Sequence, residues 1–188
     1  MLVALALLAP VIHGAPAASA APKSLDEVCR VATCRPPTKV RLEIEENRYY
    51  TVDQPQAPYV YDGIINVLAD ETVVALVKVE GDRIGDLSYV AEPGKVAPVI
   101  VTHLESYAVE KGSHGTLLTV TNPFERPIRY TARIQRAGKA IFEDAVTCPV
   151  PPHRAGAETW PVPLIQVLLK DFRFVAKGEA IPKGCERP

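Results

Sequence analysis

The sequence contains none of the short motifs that mark the common catalytic and phosphate-binding sites. It has no G-x-S-x-G nucleophile elbow, no H-E-x-x-H pair, no S-x-x-K with its partner motifs and no glycine-rich phosphate loop. Cys29 and Cys34 are separated by four residues, so they are not a C-x-x-C redox motif. A triad assembled from distant positions stays open, but these absences favour a binding or structural protein over an enzyme.

The sequence also lacks an excess of charge of either sign. It has 21 Lys and Arg against 22 Asp and Glu, which gives a net charge of −1 with both signs interspersed. Nucleic-acid-binding domains carry a basic face or stripe, and proteins of anionic membrane surfaces carry polybasic clusters. We therefore expect neither a nucleic-acid partner nor a polybasic membrane surface.

The first 20 residues have no charged side chain at all. An apolar stretch is followed there by small residues that end in Ala18-Ser19-Ala20, which is typical of a secretory signal with an A-x-A cleavage site. The stretch is shorter than the roughly 20 apolar residues of a membrane span. Residues 1–20 are therefore predicted to be a signal peptide, the mature chain begins near Ala21, and the protein is periplasmic or secreted.

One element of such a signal is missing, because no Lys or Arg precedes the apolar stretch. A start site further upstream would supply it. The other interpretation is an apolar strand, which the predominance of Ala and Leu does not favour. The sequence has no N-x-S/T acceptor site, which favours a bacterial periplasm over a eukaryotic route. No second apolar span follows, so no membrane span is expected after cleavage.

The four cysteines, Cys29, Cys34, Cys148 and Cys185, all follow the predicted signal. An even number in an exported protein indicates two disulfides, for which three pairings are possible. We expect Cys29–Cys34, which are close in sequence, and Cys148–Cys185, which ties the last segment to the body. Loop entropy predicts about 2 kcal/mol from the short loop and about 4 kcal/mol from the long one. A zinc site is not expected, because no second close pair accompanies Cys29 and Cys34.

Residues 21–37 are predicted to form a short helix and a proline-rich connector. Ser24 and Glu27 have the spacing of a capping box, and apolar residues recur on one helical face over 25–33. Two prolines at 36–37 end this helix, because a residue that precedes proline is pushed out of the helical region.

Residues 38–188 are predicted to form one all-β domain, because the apolar period there becomes two. Gly-containing turns separate the strands, and no long amphipathic helix lies between them. This pattern is typical of an antiparallel β-sandwich. The predicted strands are 39–45, 47–53, 64–68, 72–79, 84–90, 98–107, 115–121, 128–136, 140–147 and 166–175.

The C-terminal half of this domain resembles an immunoglobulin-like sandwich in the order of its elements. A strand that ends in Asn122-Pro123, a tyrosine-bearing strand at 128–136 and a hairpin at Gly138 follow one another as in its B–C–C′ region. The resemblance concerns the fold and implies no function. If the domain is divided in two, the seam lies near 91–98, at a turn with proline and glycine.

Four of the seven tyrosines, Tyr49, Tyr50, Tyr59 and Tyr61, lie within 13 residues. Tyrosine combines rigid contact area with a hydroxyl group, so exposed clusters suit recognition of protein or sugar. Tyr49 and Tyr50 are adjacent and point to opposite faces of a strand. Tyr59 and Tyr61 share one face of an edge segment, where packing over the rim of the core is the alternative. The four are candidate recognition residues.

Three histidines, His103, His114 and His153, remain after the predicted cleavage and are candidate metal ligands. A zinc or copper site needs three or four such groups to converge, and loop histidines are normally solvated, so no metal or other cofactor is expected. The adjacent carboxylates at 45–46 and 70–71 show no sign of the facing arrangement that glycosidases need. They are interpreted as solvated charges.

The sequence thus predicts an exported β-sandwich with a binding or structural role and no evident catalytic group. One alternative is a metal-binding exported protein or enzyme that uses His103, His114 and His153. Another is a subunit of an envelope or secretion assembly, joined to another envelope or extracellular protein by edge-strand addition. That alternative requires a long, uncovered edge strand without inward charges.

Overall fold

The structure is a computed structural model that describes residues 23–92, 98–109 and 112–185. The predicted signal peptide, residues 1–20, lies outside these ranges, as does most of the predicted seam at 91–98. The boundaries of the domain therefore stay predictions.

The predicted N-terminal helix is present as α1 (Leu25–Val31) and is two residues shorter than expected. Its capping box is complete: the Ser24 hydroxyl accepts from Glu27 N–H at 3.3 Å, and the Glu27 carboxylate accepts from Ser24 N–H at 2.7 Å. These bonds hold the pKa of Glu27 below its ordinary value. Because Ala32 is already extended, the chain is free to form the Cys29–Cys34 disulfide immediately afterwards.

Every predicted strand corresponds to an observed one, and the strands pair antiparallel throughout. In chain order they are β1 (Cys34–Arg35), β2 (Thr38–Glu45), β3 (Arg48–Gln54), β4 (Ala57–Pro58), β5 (Val60–Tyr61), β6 (Ile64–Leu68), β7 (Glu71–Glu80), β8 (Arg83–Tyr89), β9 (Val99–Ala108), β10 (His114–Thr121), β11 (Ile128–Arg136), β12 (Glu143–Ala145), β13 (Ala155–Trp160) and β14 (Leu164–Phe174).

Two five-stranded sheets pack face to face. The first has the order β13-β10-β9-β7-β8 and the second has the order β12-β11-β14-β6-β5. The predicted antiparallel β-sandwich is thus confirmed, while the immunoglobulin-like arrangement of its C-terminal half stays a prediction. The main core lies between the sheets and contains Ile65, Ile100, Leu118, Ile134 and Leu169, each no more than 2% exposed.

The last long strand shows why its sequence pattern is ambiguous. The spacing of Leu164, Leu168 and Phe172 suits a helix, but β14 pairs with both β11 and β6 in the middle of the second sheet. A central strand has neighbours on both sides, so a nearly continuous apolar run is compatible with it. The interpretation of 166–175 as a strand is confirmed.

The two-residue strands β1, β4 and β5 are absent from the predicted set, and two longer strands also differ from expectation. The predicted strand 140–147 is reduced to β12 (Glu143–Ala145), which pairs with β11 over three residues. The strand β13 (Ala155–Trp160) is absent from the predicted set, because Ala, Gly and Glu have low strand propensity. Its pairing with β10 along six residues overrides that local preference.

The hairpin of β2 and β3 forms a separate two-stranded sheet beside the sandwich. Its inner face contributes Val40 and Leu42 to a second, smaller core with Leu68 and Ile165. At its far end Glu46 N–H donates to Gly112 C=O at 2.9 Å. The hairpin is therefore anchored to the sandwich along its length.

Both predicted disulfides, Cys29–Cys34 and Cys148–Cys185, are confirmed. The second one fastens the segment after β14, which is also held by Glu179. The Glu179 carboxylate accepts bonds from Arg173 at 2.6 and 2.7 Å and from Arg129 at 2.8 Å, and these donors hold its pKa well below the ordinary value.

Within the described ranges, no helix combines the length and apolar character that crossing a bilayer requires.

Candidate functional site

The sandwich ends in four edge strands of very different length. The second sheet ends in β12 and β5, which have three and two residues. The first sheet ends in β13 and β8, which have six and seven residues. An edge strand presents unpaired N–H and C=O groups to any further strand, and a short edge presents few of them. The two edges of the first sheet are therefore the ones to compare.

The edge strand β13 carries a charge on its inner face. Gly156, Glu158 and Trp160 alternate with the exposed Ala157 and Thr159. The Glu158 carboxylate points inward and accepts a hydrogen bond from Cys148 N–H at 2.6 Å. Burial raises the pKa of Glu158, although this bond acts in the opposite sense. An added strand would bury the carboxylate further, so the inward charge protects this edge.

The edge strand β8 has the opposite character. Ile84, Leu87 and Tyr89 are partly buried and pack against the main core, whereas Arg83 and Asp86 are exposed. Its inner face thus has no charged side chain that an added strand would bury. An inward charge protects β13 from pairing with an added strand. By the same criterion, β8, which has no such charge, is an edge open to an added strand.

The hydrogen-bond pattern identifies the amide groups that face the open edge of β8. Val90 N–H donates to Val74 C=O of β7 at 3.0 Å. In an antiparallel ladder, hydrogen-bonded and non-hydrogen-bonded pairs alternate. Tyr89, opposite Ala75, is therefore a non-hydrogen-bonded position, and so is Leu87 two residues away. Both direct their N–H and C=O groups away from β7.

A β-bulge divides β8 into two parts. Its register with β7 shifts between Leu87 and Ile84, so β8 has one residue more than its partner there. Gly85 lies in this bulge, and a Cβ at that position would come within 3.0 Å of Lys78 C=O. Bulges twist an edge and limit continuous pairing. The regular part of the edge is therefore the segment 87–89.

A groove, which we call the bulge groove, lies between β8 and the second sheet and has a volume of about 400 Å³. Ile84, Gly85 and Leu87 line it on the β8 side, and Lys170 and Asp171 line it on the β14 side. Asp171 has a φ of 56° at an irregularity where β14 pairs with β11. The two irregular strands thus face each other across this groove.

A second groove of about 240 Å³, the helix groove, continues along β8. It is lined by Leu87, Ser88 and Tyr89 and by residues 31–33, at the end of α1. Tyr61 of β5 also lines it. The two-residue strand β5 forms this edge of the second sheet.

Asp62 stands between the two grooves and lines both. Asp62 and Gly63 have φ values of 51° and 70° and form the tight turn between β5 and β6. Among the described residues, no Lys, Arg or His nitrogen lies within 4.0 Å of its carboxylate. Asp171, in contrast, lies 3.4 Å from Lys170 Nζ and accepts a bond from the Thr131 hydroxyl at 2.8 Å.

A buried arginine is linked to the lining of the helix groove through Tyr59. Arg35 is 2% exposed, and its guanidinium donates to the Asn66 side chain at 3.2 Å and to Asn66 C=O. It also lies 2.8 Å from the Glu71 carboxylate and 4.7 Å from the centre of the Tyr59 ring. Tyr59 in turn stacks on Tyr89 of β8 at 4.3 Å. The disulfide-linked N-terminal segment is therefore coupled to the open edge.

Burial dominates the electrostatics of this network. It lowers the pKa of Arg35, although Glu71 favours the charged guanidinium. It raises the pKa of Glu71, although Leu68 N–H and Arg35 stabilise the carboxylate. Burial likewise raises the pKa of Tyr59. Each charge has a partner here, which is the condition for retaining charges away from water.

The four candidate recognition tyrosines lie on different elements. Tyr49 of β3 is 44% exposed and lies under the Arg41 guanidinium at 3.7 Å, whereas Tyr50 packs against the smaller core. Tyr59 lies beside the Arg35 guanidinium and stacks on Tyr89, and Tyr61 lines the helix groove. Of the cluster, Tyr61 and Tyr59 are thus the members associated with the open edge. A recognition role for the four stays a prediction.

The three candidate histidines each lie near a different glutamate. His103 lies 3.5 Å from Glu105, His114 lies 3.8 Å from Glu43 and His153 lies 3.1 Å from Glu125. His103 Nδ1 also forms a hydrogen bond of 2.8 Å with the Thr72 hydroxyl. In the described ranges, no group of three or more His, Cys, Asp or Glu is arranged to hold a metal ion.

Two charged residues behind the open edge, Arg35 and Glu71, are not candidate site residues in the sequence. Arg35 is there only the residue that precedes the prolines after the predicted helix, and Glu71 is interpreted as a solvated charge. The interpretation of Glu71 is wrong, because its carboxylate is ion-paired with a buried arginine. One feature of the sequence could have indicated that Arg35 is buried. It lies between a disulfide cysteine and two prolines, beyond the predicted helix, so its side chain is not on the exposed face of a helix.

Comparisons with protein-family models, with curated proteins and with solved structures found no match for this chain.

Proposed function

We propose that this chain is an exported binding protein that takes up an extended segment of another envelope or extracellular protein along β8. The observation that carries the proposal is the apolar inner face of this edge strand, in which the regular segment 87–89, with two outward-facing amides, adjoins the bulge at Gly85. Strand addition to a sheet edge gains affinity from backbone hydrogen bonds and specificity from alternate side chains. The outward amides of Leu87 and Tyr89 supply the backbone hydrogen bonds. The bulge and helix grooves supply the specificity for side chains.

Export is supported by the two disulfides and by the apolar leader. Disulfides persist in oxidising compartments such as the periplasm or the extracellular space, where the bridges Cys29–Cys34 and Cys148–Cys185 would remain formed. The partner is accordingly sought among proteins of the same compartment.

The proposal is tested by selecting a displayed library of random 12-residue peptides against the mature protein with both disulfides formed. Leu87→Glu gives β8 the kind of inward carboxylate that β13 has. Ala157→Glu, the control, places the same group on the exposed outer face of β13. We expect the selected peptides to bind Leu87→Glu at least about tenfold more weakly and the control unchanged.

Hydrogen exchange on the unmutated protein provides a second readout that does not depend on the folding of a variant. A bound peptide should slow exchange of the Leu87 and Tyr89 amides, which face the open edge. Failure to select any binder, equal binding to Leu87→Glu, or protection confined to other amides would overturn the proposal.

A further inference from the structure

We propose that a groove beside the β2–β3 hairpin binds small amphipathic carboxylates, which combine an apolar body with a single negative charge. We call it the hairpin groove, and its volume is about 350 Å³. It shares no lining residue with the bulge groove or the helix groove, so the proposal does not depend on strand addition along β8. Its lining consists of Ile44, Tyr50, residues 136–139, Val162 and Pro163.

Three segments that are distant in sequence form the walls of this groove. The hairpin contributes two residues, the turn after β11 contributes residues 136–139, and the segment before β14 contributes residues 162–163. Ala137 N–H donates to Pro163 C=O at 3.0 Å, which joins the second wall to the third. Sites for small molecules are concave, largely preformed and about 300–1,000 Å³ in volume. The hairpin groove has this size, and its walls are fixed to one another.

Most of the exposed lining is apolar. Ile44, Tyr50 and Ala137 are partly buried and pack against the smaller core, and Val162 packs against the main core. The cores therefore hold these side chains in place while part of each stays accessible. Apolar surface of a ligand that covered them would be removed from water, which is favourable in proportion to the buried area.

The two charged side chains of the lining, Arg136 and Lys139, are both cationic. Lys139 has no carboxylate within 4.0 Å of its Nζ among the described residues. Its backbone is nevertheless fixed, because its N–H donates to Arg136 C=O at 3.1 Å and its C=O accepts from the Gln135 amide at 3.2 Å. The groove thus presents a cation without an anionic partner at a defined position.

Arg136 is only partly satisfied. Its Nη2 lies 2.9 Å from the carboxylate of Glu143, which is not part of the lining. Its Nε is buried and has no hydrogen-bond partner in the described part of the chain. Because Glu143 already offsets this charge, the groove complements one negative charge of a ligand rather than several.

The ligand class follows from the apolar lining and the cation together. A phosphate with two charges would need several donors, and an inorganic anion would leave the apolar lining unused. A cationic amphiphile would be repelled, and a neutral one would lack an ion pair. A carboxylate with an apolar body uses both features. Because water and salt screen an exposed pair, the charge should change the affinity about two- to fivefold, while the apolar contacts provide most of the binding.

The first test titrates octanoate, 1-octanol and octylammonium into the mature protein with both disulfides formed, at neutral pH. The three probes share one chain length and differ in the charge of the head group. We expect calorimetry to show saturable binding of octanoate, weaker binding of octanol and the weakest binding of octylammonium. Added salt should weaken the binding of octanoate and leave that of octanol unchanged.

The second test compares Lys139→Gln with Lys177→Gln, the control. Both lysines are exposed in the sequence next to a turn glycine with positive φ, Gly138 at 76° and Gly178 at 79°. Neither has a carboxylate within 4.0 Å among the described residues, and Lys177 lies outside the lining. Lys139→Gln should weaken octanoate binding about two- to fivefold and leave octanol binding unchanged, whereas the control should change neither.

Amide chemical shifts of the unmutated protein provide a readout that does not depend on a variant. Octanoate should shift the amides of Ile44, Tyr50, Gly138 and Val162, and all of these shifts should saturate at the same concentration. Octanoate binding that does not saturate, equal binding of octylammonium, equal effects of the two lysine variants, or shifts confined to other parts of the chain would overturn the proposal.

Discussion

The strands β8 and β13 border the same sheet, yet their inner faces differ in one decisive respect. β13 has the half-buried Glu158 there, with a carboxylate that binds the Cys148 amide. β8 has Ile84, Leu87 and Tyr89, and its charged residues face solvent. The difference shows that strand length alone does not make an edge available. A single inward charge closes one edge, and a bulge shortens the other without closing it.

The two edges also differ in what supports them. Next to β13 the Cys148–Cys185 bridge spans 37 positions of sequence, while beside β8 the Cys29–Cys34 bridge spans five. The arginine network, defined by Arg35, Asn66, Glu71 and Tyr59, adds to the support of β8. Stability and binding should therefore respond differently when each side is perturbed.

The largest effect is expected from removing the disulfides. Replacing Cys148 and Cys185 by serine should lower the free energy of unfolding by about 4 kcal/mol, and replacing Cys29 and Cys34 by about 2 kcal/mol. Denaturant titration measures both values. Only the replacement of Cys29 and Cys34 should weaken peptide binding at β8, because residues 31–33, which lie within the loop that this disulfide closes, line the helix groove. A larger binding loss from the Cys148–Cys185 pair would contradict the comparison.

The next effect is expected from the arginine network. Glu71→Ala leaves the Arg35 guanidinium, 2% exposed, without its carboxylate, and should cost about 3 kcal/mol. Asp53→Ala, the control, removes a carboxylate that is 84% exposed and 3.8 Å from Lys39, and should change stability by less than about 1 kcal/mol. Thermal unfolding compares the two, and similar losses would show that the network is not buried as described.

The smallest effect is expected from Glu158→Gln, which keeps an acceptor for Cys148 N–H and removes the inward charge. Burial raises the pKa of Glu158 above its ordinary value of 4.5. The stability linked to the protonated form is thus present below that value and is lost as pH rises through the folded-state pKa. At pH 7 the variant should be more stable by up to about 1 kcal/mol, and near pH 3 the two proteins should be about equal.

Melting temperatures measured across this pH range test the prediction. Glu179, whose pKa is lowered, acts in the opposite sense, because its contribution is lost as pH falls below the unfolded value. Glu179 is present in both proteins, so it cancels from their difference. If the stability difference between Glu158→Gln and the unmutated protein were largest at acid pH, the raised pKa of Glu158 would not be its cause. The variant should also bind extended peptides along β13 if the inward charge is what closes this edge.

Strand alternation made most of the fold predictable from the sequence. The segment 128–136 is predicted correctly because its apolar and polar residues alternate over its whole length. The strand β13 could not be found in this way, because Ala155-Gly156-Ala157 has neither the propensity nor the pattern of a strand. Pairing with β10, distant in sequence, is what makes it one.

The candidate site was less predictable than the fold. Tyr61 stands out by composition, but Leu87 and Asp62 acquire their importance from being at an edge and between two grooves. Arg35 and Glu71 are 36 positions apart, and no local pattern joins them. Their pairing is a consequence of how the N-terminal segment packs against the sandwich.

The sequence by itself determined the secondary structure of most of the chain and the all-β class, which follow from local periodicity and turn chemistry. It favoured one of three possible cysteine pairings, and the structure decided that pairing. Only the tertiary structure decided which strands are edges, which edge is open and where the buried arginine finds its carboxylate. Those properties depend on contacts between distant segments, and strand order cannot be read from any one of them.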